Sequence, residues 1–132
     1  MIVSDASLLV DFLIDEGERG SWATAQIVSA RRICAPHLLD VEVVAVLRKR
    51  VGAHELSPSR GLTAVRDLAE LPIRRYPLIH LLERIWQLRG RLTAYDAAYV
   101  ALAEALEVPI VTIDRRLARA GGHGAEVRAF GD

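Results

Sequence analysis

The sequence predicts an α/β fold, a three-layer αβα sandwich in which a mainly parallel sheet lies between two layers of helices. Short apolar segments bounded by proline, glycine or charged residues recur along the chain, and segments with helical periodicity separate them. This alternation indicates βαβ units, whose strands run parallel. With 132 residues the chain can bury a core but is short for two domains, so we expect a single domain over 1–132.

Five short apolar segments predict the strands. They are 1–5 (MIVSD), 32–36 (RICAP), 72–76 (PIRRY), 108–114 (VPIVTID) and 125–130 (AEVRAF). The segment 108–114 has the clearest pattern of a buried strand, while Pro36 ends the second strand because proline cannot donate to a sheet.

The segments between these strands predict helices. The predicted helices are 6–15, 22–30, 37–52, 58–71, 78–90, 93–106 and 115–122. Helix 37–52 ends in basic residues and a glycine, as helix C-termini prefer, and glycines also close helix 115–122. Helix 78–90 is amphipathic, and the residues predicted to share its apolar stripe are Leu78, Leu81, Leu82 and Ile85.

The composition excludes several classes of protein. Hydrophobic residues make up 52% of the chain, which excludes disorder, and 17 basic residues balance 17 acidic ones, so no global charge marks a nucleic-acid binder. Cys34 is the only cysteine, which excludes an internal disulfide and a cysteine-based zinc site. Without a membrane-spanning run or a secretory start, we expect a cytoplasmic protein with no membrane partner.

Two acids follow predicted strands. Asp5 comes after IVS and Asp114 after IVTI. Ligands of open parallel sheets bind outside the carboxyl ends of the strands, so both acids are candidates for a functional site. Each also has a structural interpretation, because aspartate is a common N-cap of the helix that follows it.

Two further acids lie on predicted helices. Glu42 has apolar neighbours at spacings of three and four, so its carboxylate projects from an apolar face. Asp96 interrupts the apolar surface of TAYDAAYVALAEAL, where a carboxylate is costly without a partner. Thr93 and Asp96 also have the spacing of a capping box, which by itself would explain the acid.

The contexts of these four acids resemble one family. The segments VSDASLLVDFL, HLLDVEVVAVLRK and LTAYDAAYVALAEALEVPIVTIDRRLARA cover nearly the whole chain. They resemble the PIN-domain ribonucleases, specifically the VapC-type toxins of bacterial toxin–antitoxin pairs. This resemblance implies a PIN-like sheet with strand order 3-2-1-4-5, which would place Asp5 beside Asp114. It also implies a VapB-type antitoxin, an RNA substrate and a homodimer.

The resemblance implies roles for the acids. Asp5, Asp96 and Asp114 would be the nearest metal-binding carboxylates, Glu42 would hold metal-bound water or a second ion, and Thr112 and Ser7 would position the ligands. Electrostatics agree, because two carboxylates about 5 Å apart repel by about 3 kcal/mol at an effective dielectric of 20. An all-oxygen set of ligands selects Mg²⁺ or Mn²⁺.

Three arginines are candidate RNA contacts. Arg115 and Arg116 directly follow Asp114, where some members of the family carry another acid, and they could meet the RNA backbone or the antitoxin. Arg84, on the polar side of its helix, could reach toward the acids. The alternative hypothesis is a PIN-like module that binds RNA or regulates without cleaving. A phosphotransfer domain of the D-x-D type is disfavoured because Asp5-Ala6-Ser7 lacks the second aspartate.

Overall fold

The computed structural model describes residues 1–15 and 17–132, and its five strands form one sheet. The strands are β1 (Ile2–Ser4), β2 (Ile33–Pro36), β3 (Ile73–Tyr76), β4 (Ile110–Thr112) and β5 (Val127–Ala129). All neighbouring pairs are parallel, and the order is β3-β2-β1-β4-β5. The predicted parallel sheet and its strand order are therefore confirmed.

Helices connect each strand to the next and cover the sheet. They are α1 (Ala6–Ile14), α2 (Glu18–Ser29), α3 (Leu38–Gly52), α4 (Pro58–Glu70), α5 (Leu82–Gln87), α6 (Ala94–Leu106) and α7 (Arg115–Arg119). Helix α1 packs against α2, α3 and α4, whereas α6 packs against α5 and the central strands. This is the predicted three-layer αβα sandwich.

The core lies around the central strand. Val3 of β1 and its neighbours Cys34, Ile110 and Val111 are completely buried. Strands buried on both faces need continuous runs of mainly apolar residues, which explains the composition of IVS, ICA and IVT. No helix among the described residues is long and apolar enough to cross a membrane.

Helix α2 begins earlier than predicted. The prediction started it at Trp22, but it starts at Glu18. Gly20 explains the difference: a Cβ added there would lie 1.8 Å from the carbonyl oxygen of Asp15. The first turn of α2 therefore needs a glycine to pass the end of α1, and glycine weakens the local helix pattern in the sequence.

The predicted helix 78–90 is also different in the structure. A 3₁₀ turn (Ile79–Leu81) leads into the short α5, which ends when Leu88 N–H bonds back to the carbonyls of Arg84 and Ile85. Within the predicted stripe Leu82 is 52% exposed, whereas Leu88, outside the stripe, is buried. Leu88 is the residue that packs in the core, because α5 ends at Gln87 and the longer predicted helix does not form.

Candidate active site

The carboxyl ends of β1 and β4 define one edge of the site. These strands are adjacent, with Val3 opposite Ile110 and Ser4 opposite Val111. Asp5 follows β1 directly and Asp114 follows β4 after Ile113, so both acids emerge at the same edge. This placement follows from parallel pairing, which brings the ends of both strands together.

Asp5 is buried and accepts three hydrogen bonds. The donors are the backbone N–H of Leu8 at 3.0 Å, the Ser7 hydroxyl at 2.7 Å and the Thr112 hydroxyl. The Leu8 contact is an N-cap of α1, so the structural interpretation of Asp5 is correct as far as it goes. Burial nevertheless raises the Asp5 pKa to about 6, although the three donors lower it and the charge of Asp96 raises it further.

Ser7 and Thr112 connect the two strand ends. Their hydroxyl oxygens are 3.2 Å apart, and Ser7 Oγ also accepts from the N–H of Ile113 at 3.1 Å. Thr112 Oγ1 accepts from the N–H of Asp114 at 2.9 Å. Both hydroxyls therefore contact Asp5 or its neighbours directly, and their role in orienting a bound ligand stays a prediction.

Asp114 has a capping role and an ion-pair partner. Its Oδ1 accepts from the N–H of Arg116 at 2.9 Å, which caps α7, and its Oδ2 accepts from the Arg116 guanidinium at 2.7 Å. The hydrogen bonds and charge of Arg116 lower the Asp114 pKa, so this acid is ionised at neutral pH. The predicted N-cap is thus present, and the neighbouring arginine is its counter-charge.

Asp96 is not the capping acid of α6. Its backbone N–H donates to Thr93 Oγ1 at 3.2 Å, so Thr93 caps the helix, and no hydrogen bond from the N–H of Thr93 reaches the Asp96 carboxylate within the described part of the chain. The carboxylate is exposed, yet nearby protein atoms partly desolvate it and raise its pKa, as does the charge of Asp114. Only half of the predicted capping box forms, which leaves the side chain available for another task.

Glu42 is half-buried and faces the same cluster. Its Oε1 accepts a 2.6 Å hydrogen bond from the hydroxyl of Tyr99. Burial raises the Glu42 pKa, the Tyr99 hydrogen bond lowers it, and the charge of Asp96 raises it again. Tyr99 was not predicted from the sequence, although its spacing of three from Asp96 places it on the same side of the helix.

Asp96 is the electrostatic centre of the four acids. Its charge raises the pKa of both Asp5 and Glu42, and the charge of Asp114 raises its own. Burial and these charges raise the pKa of Asp5, Glu42 and Asp96, and acids with a raised pKa attract protons or cations. The four predicted acids therefore share one negative field.

The comparison with known proteins agrees with this geometry. The PIN domain family matches residues 2–123. Ribonuclease VapC9 of Mycobacterium tuberculosis is 41% identical over 121 residues, which cover 92% of this chain and 91% of the relative. The chain belongs to the VapC group of the PIN-domain family. The resemblance predicted from the sequence is confirmed.

Solved structures share the PIN fold. VapC20 of Mycobacterium tuberculosis, described as a toxin that cleaves the sarcin–ricin loop, has a TM-score of 0.72 at 16% identity and covers 90% of this chain and 94% of its own. VapBC2 of Rickettsia felis, bound to a fragment of promoter DNA, has a TM-score of 0.71 at 10% identity and covers 98% and 99%. At these identities the likeness shows the fold alone.

The donor set of this PIN domain fits a hard divalent cation. Among residues 1–15 and 17–132, no three histidine, cysteine or acidic side chains lie close enough to hold an ion by themselves. Mg²⁺, however, usually keeps several waters and takes only one or two carboxylates directly, with substrate phosphate completing its shell. The carboxylates of Asp5 and Asp96 are of the ligand type that Mg²⁺ takes, and burial raises the pKa of both, so positive charge beside them would be favourable.

The three predicted RNA-contacting arginines all form ion pairs in this PIN domain. Arg84 binds Glu104 through two hydrogen bonds of 2.8 and 2.9 Å, about two helical turns along α6 from Asp96. Arg115 pairs with Asp132 at 3.4 Å, and Arg116 pairs with Asp114. Arg116 is therefore the member of the set in direct contact with a candidate catalytic acid, while RNA contact by any of the three stays a prediction.

Proposed function

We propose that this PIN domain is a divalent-metal-dependent endoribonuclease and the toxin of a VapBC-type toxin–antitoxin pair. The observation that carries the proposal is the shared negative field of Asp5, Glu42, Asp96 and Asp114. Desolvation and mutual repulsion raise the pKa of the first three of these carboxyls. A stable fold keeps such a costly arrangement when a cation offsets it, and an oxygen-only set favours Mg²⁺ or Mn²⁺.

The roles follow from position. Asp5, Asp96 and Asp114 are the proposed metal ligands, and Glu42 is the proposed holder of metal-bound water or a second ion. When bound, the ion would supply positive charge to the scissile phosphodiester and make an attacking water more acidic. Ser7 and Thr112 keep the Asp5 carboxylate in one orientation through their hydrogen bonds, so Asp5 meets an ion without reorganising.

Cleavage requires the water oxygen to bond to phosphorus while the bond to one ribose oxygen breaks. The acids on the protein side then need to be ionised, and Asp114 is the group best prepared for this because Arg116 lowers its pKa. Asp5 differs, because burial raises its pKa to about 6. Its proton would have to leave as the ion enters, so binding of a metal at or below about pH 6 would release a proton.

A second candidate function is a PIN-like module that binds RNA without cutting it. The observation in its favour is Arg116, whose guanidinium already neutralises Asp114 at 2.7 Å. A fixed counter-charge can replace a metal electrostatically. The cleaving function is preferred because Asp5, Asp96 and Glu42 have no such partner among the described arginines within ion-pair distance.

The proposed partners are a VapB-type antitoxin, RNA and a second copy of the chain. The antitoxin is supported by the structural likeness to VapBC2 of Rickettsia felis, and by the relation to VapC9. The homodimer is supported by the apolar side chains that the 3₁₀ turn and α5 expose: Ile79 at 66%, Leu82 at 52% and Trp86 at 66%. A single domain over 1–132 in the cytoplasm completes the proposal.

The decisive experiment compares cleavage of total RNA by the wild type, Asp5→Asn and Asp67→Asn. Asp67 lies exposed on α4, so its variant removes the same charge far from the acids. We expect cleavage with Mg²⁺ or Mn²⁺ by the wild type and Asp67→Asn, none with EDTA, and a loss of orders of magnitude in Asp5→Asn. RNA that is bound but left intact by the wild type with either ion would favour the non-cleaving module.

A further inference from the structure

A cleft opens beside Asp96. It has a volume of about 250 Å³, and its polar lining consists of Arg91, Thr93, Asp96 and Arg116. That is room for several water molecules, at about 30 Å³ each, or for a group that replaces them. The cleft therefore continues from a candidate catalytic acid to two arginines.

Arg91 differs from the three arginines that were predicted to contact RNA. Arg84, Arg115 and Arg116 each pair with a carboxylate. Arg91 is exposed and forms no ion pair within the described part of the chain. A guanidinium with free donors is the side chain best suited to bind a phosphate through two parallel hydrogen bonds.

The loop that follows α7 supports Arg91. A Cβ added to Gly122 would lie 2.4 Å from Cδ and 2.6 Å from Nε of Arg91, so the arginine stem rests directly on the glycine backbone. Gly122 also has a φ of 85°, which glycine adopts without strain. The glycine thus restricts the flexible arginine before any ligand binds, and less conformational entropy is lost on binding.

The same loop is anchored to α6. Glu104 accepts from the N–H of Gly124 at 2.9 Å and from Arg84, while the Arg84 guanidinium also donates to the carbonyl of Gly122 at 3.4 Å. Arg84 therefore fixes the loop on which Arg91 lies. This indirect role is different from the predicted contact between Arg84 and RNA.

We propose that Arg91 binds a backbone phosphate of the RNA that flanks the scissile phosphate, with Arg116, which lines the same cleft, as the second arginine of this subsite. The proposal rests on the proposed function, which brings the scissile phosphate to the acids. Asp96 and Arg91 line the same cleft, and Arg91 has no ion-pair partner among the described residues. A cation held at Asp96 and the Arg91 guanidinium would therefore offer two positive charges to neighbouring phosphates of one strand.

The test measures binding of a short, labelled, mixed-sequence single-stranded RNA by fluorescence anisotropy, in EDTA and over a range of salt concentrations. Arg91→Gln is compared with Arg89→Gln, which removes the same charge. Arg89 is the matched control because it stacks on Trp86 at 4.5 Å and donates to that residue's carbonyl at 3.0 Å. We expect Arg91→Gln to weaken binding several-fold and to lower the slope of log K against log salt by about 0.7, the value for one phosphate contact on a single strand. Arg89→Gln should match the wild type.

Gly122→Ala provides a second variant that keeps every charge. Its new methyl group displaces the Arg91 stem, so RNA binding should fall in the same direction as in Arg91→Gln. Thermal unfolding of each variant establishes that the fold is intact. Three results would each overturn the subsite. They are an unchanged salt slope in Arg91→Gln, an equal loss of RNA affinity in Arg91→Gln and Arg89→Gln, and no RNA binding by the wild type. In the first case the cleft would suit another anion, such as an acidic peptide.

Cleavage of total RNA with Mg²⁺, measured on the same preparations, separates the two proposals. Cleavage by the wild type together with an unchanged salt slope in Arg91→Gln leaves the nuclease intact and refutes the subsite. If Arg91→Gln lowers the slope of log K against log salt but the wild type cleaves no RNA, the nuclease is refuted and a phosphate-binding subsite remains.

Discussion

The hydroxyl of Tyr99 donates a 2.6 Å hydrogen bond to Oε1 of Glu42 and so joins α6 to α3. Tyr99 is 2% exposed, and burial followed by the hydrogen bond to Glu42 raises its pKa, so the phenol keeps its proton. The bond fixes one oxygen of Glu42 and leaves the other free to accept. A buried tyrosine therefore sets the orientation of an acid that lies 57 positions away in the chain.

Tyr99→Phe tests whether this orientation matters for metal binding. Loss of the hydroxyl frees the Glu42 carboxylate, and groups that orient metal ligands contribute about 10–100-fold to affinity, so Mn²⁺ affinity should fall within that range. Isothermal titration measures the affinity, and kcat and KM for RNA cleavage are measured alongside. Tyr95→Phe is the matched control, because Tyr95 is on the same helix and 60% exposed. Equal Mn²⁺ affinity in both variants would show that the hydrogen bond serves only packing.

Asp96→Asn tests whether Asp96 serves as a helix-capping residue or as a metal ligand. Because Thr93 Oγ1 supplies the cap, the amide should leave the stability of the metal-free protein equal or higher, since it removes repulsion among the acids. RNA cleavage should fall by orders of magnitude. Thr93→Ala, which removes the cap, should instead lower the free energy of unfolding by about 1 kcal/mol. Thermal unfolding in EDTA and cleavage with Mg²⁺ give both results, and a destabilised Asp96→Asn that cuts RNA normally would refute the ligand assignment.

The raised pKa of Asp5 predicts an unusual pH dependence without metal. Its folded pKa of about 6 exceeds the ordinary value of 3.8, so the folded state binds the proton more tightly. The stability that this proton contributes is fully present below about pH 4 and is lost as the pH rises through 6. At about 1.4 kcal/mol per pH unit, the loss is on the order of 3 kcal/mol.

Urea unfolding in EDTA from pH 4 to pH 7.5 measures this loss, and Asp5→Asn serves as the control because it cannot titrate. The wild type should lose more stability than Asp5→Asn over this range, and Mn²⁺ should bind more tightly as the pH rises through 6. Parallel stability curves for the two proteins would contradict the raised Asp5 pKa.

Sedimentation tests the proposed homodimer. At micromolar concentration the wild type should form a particle of about twice 14.5 kDa. Leu82→Glu, in the middle of the exposed stripe of Ile79, Leu82 and Trp86, should dissociate it with little change in monomer stability. Val28→Glu is the control, since Val28 is 75% exposed on α2. A dimer that survives Leu82→Glu would move the interface elsewhere, and a monomeric wild type would refute the dimer.

The sheet was predictable because each strand carries its own signal. Apolar segments bounded by charged residues or proline are local patterns, and parallel order follows from their alternation with helices. Asp5 and Asp114 could be placed at one edge for the same reason. The early start of α2 was not predictable because glycine usually indicates the end of a helix. Gly20 instead lies inside α2, where its close approach to Asp15 requires a residue without a side chain.

The contacts across the site were less predictable because they join distant parts of the chain. Nothing near Tyr99 in the sequence indicates Glu42, and nothing near Arg84 indicates Glu104. Helical periodicity placed Leu82 in the apolar stripe, but only tertiary packing decides that Leu88 is buried in its place. Periodicity identifies an apolar face, but the elements that pack against that face determine which of its residues are buried.

The pairing of β1 with β4 has a consequence for synthesis of the protein. Thr112 lies 107 positions after Asp5, yet its hydroxyl completes the environment of that acid. Contacts between such distant segments form late, because closing a long loop costs entropy before the contact repays it. A growing chain therefore carries Asp5 while 107 further residues are added before Thr112 can reach it. If the protein cuts RNA, this connectivity delays assembly of its four acids until the segment with β4 and Asp114 has been synthesised.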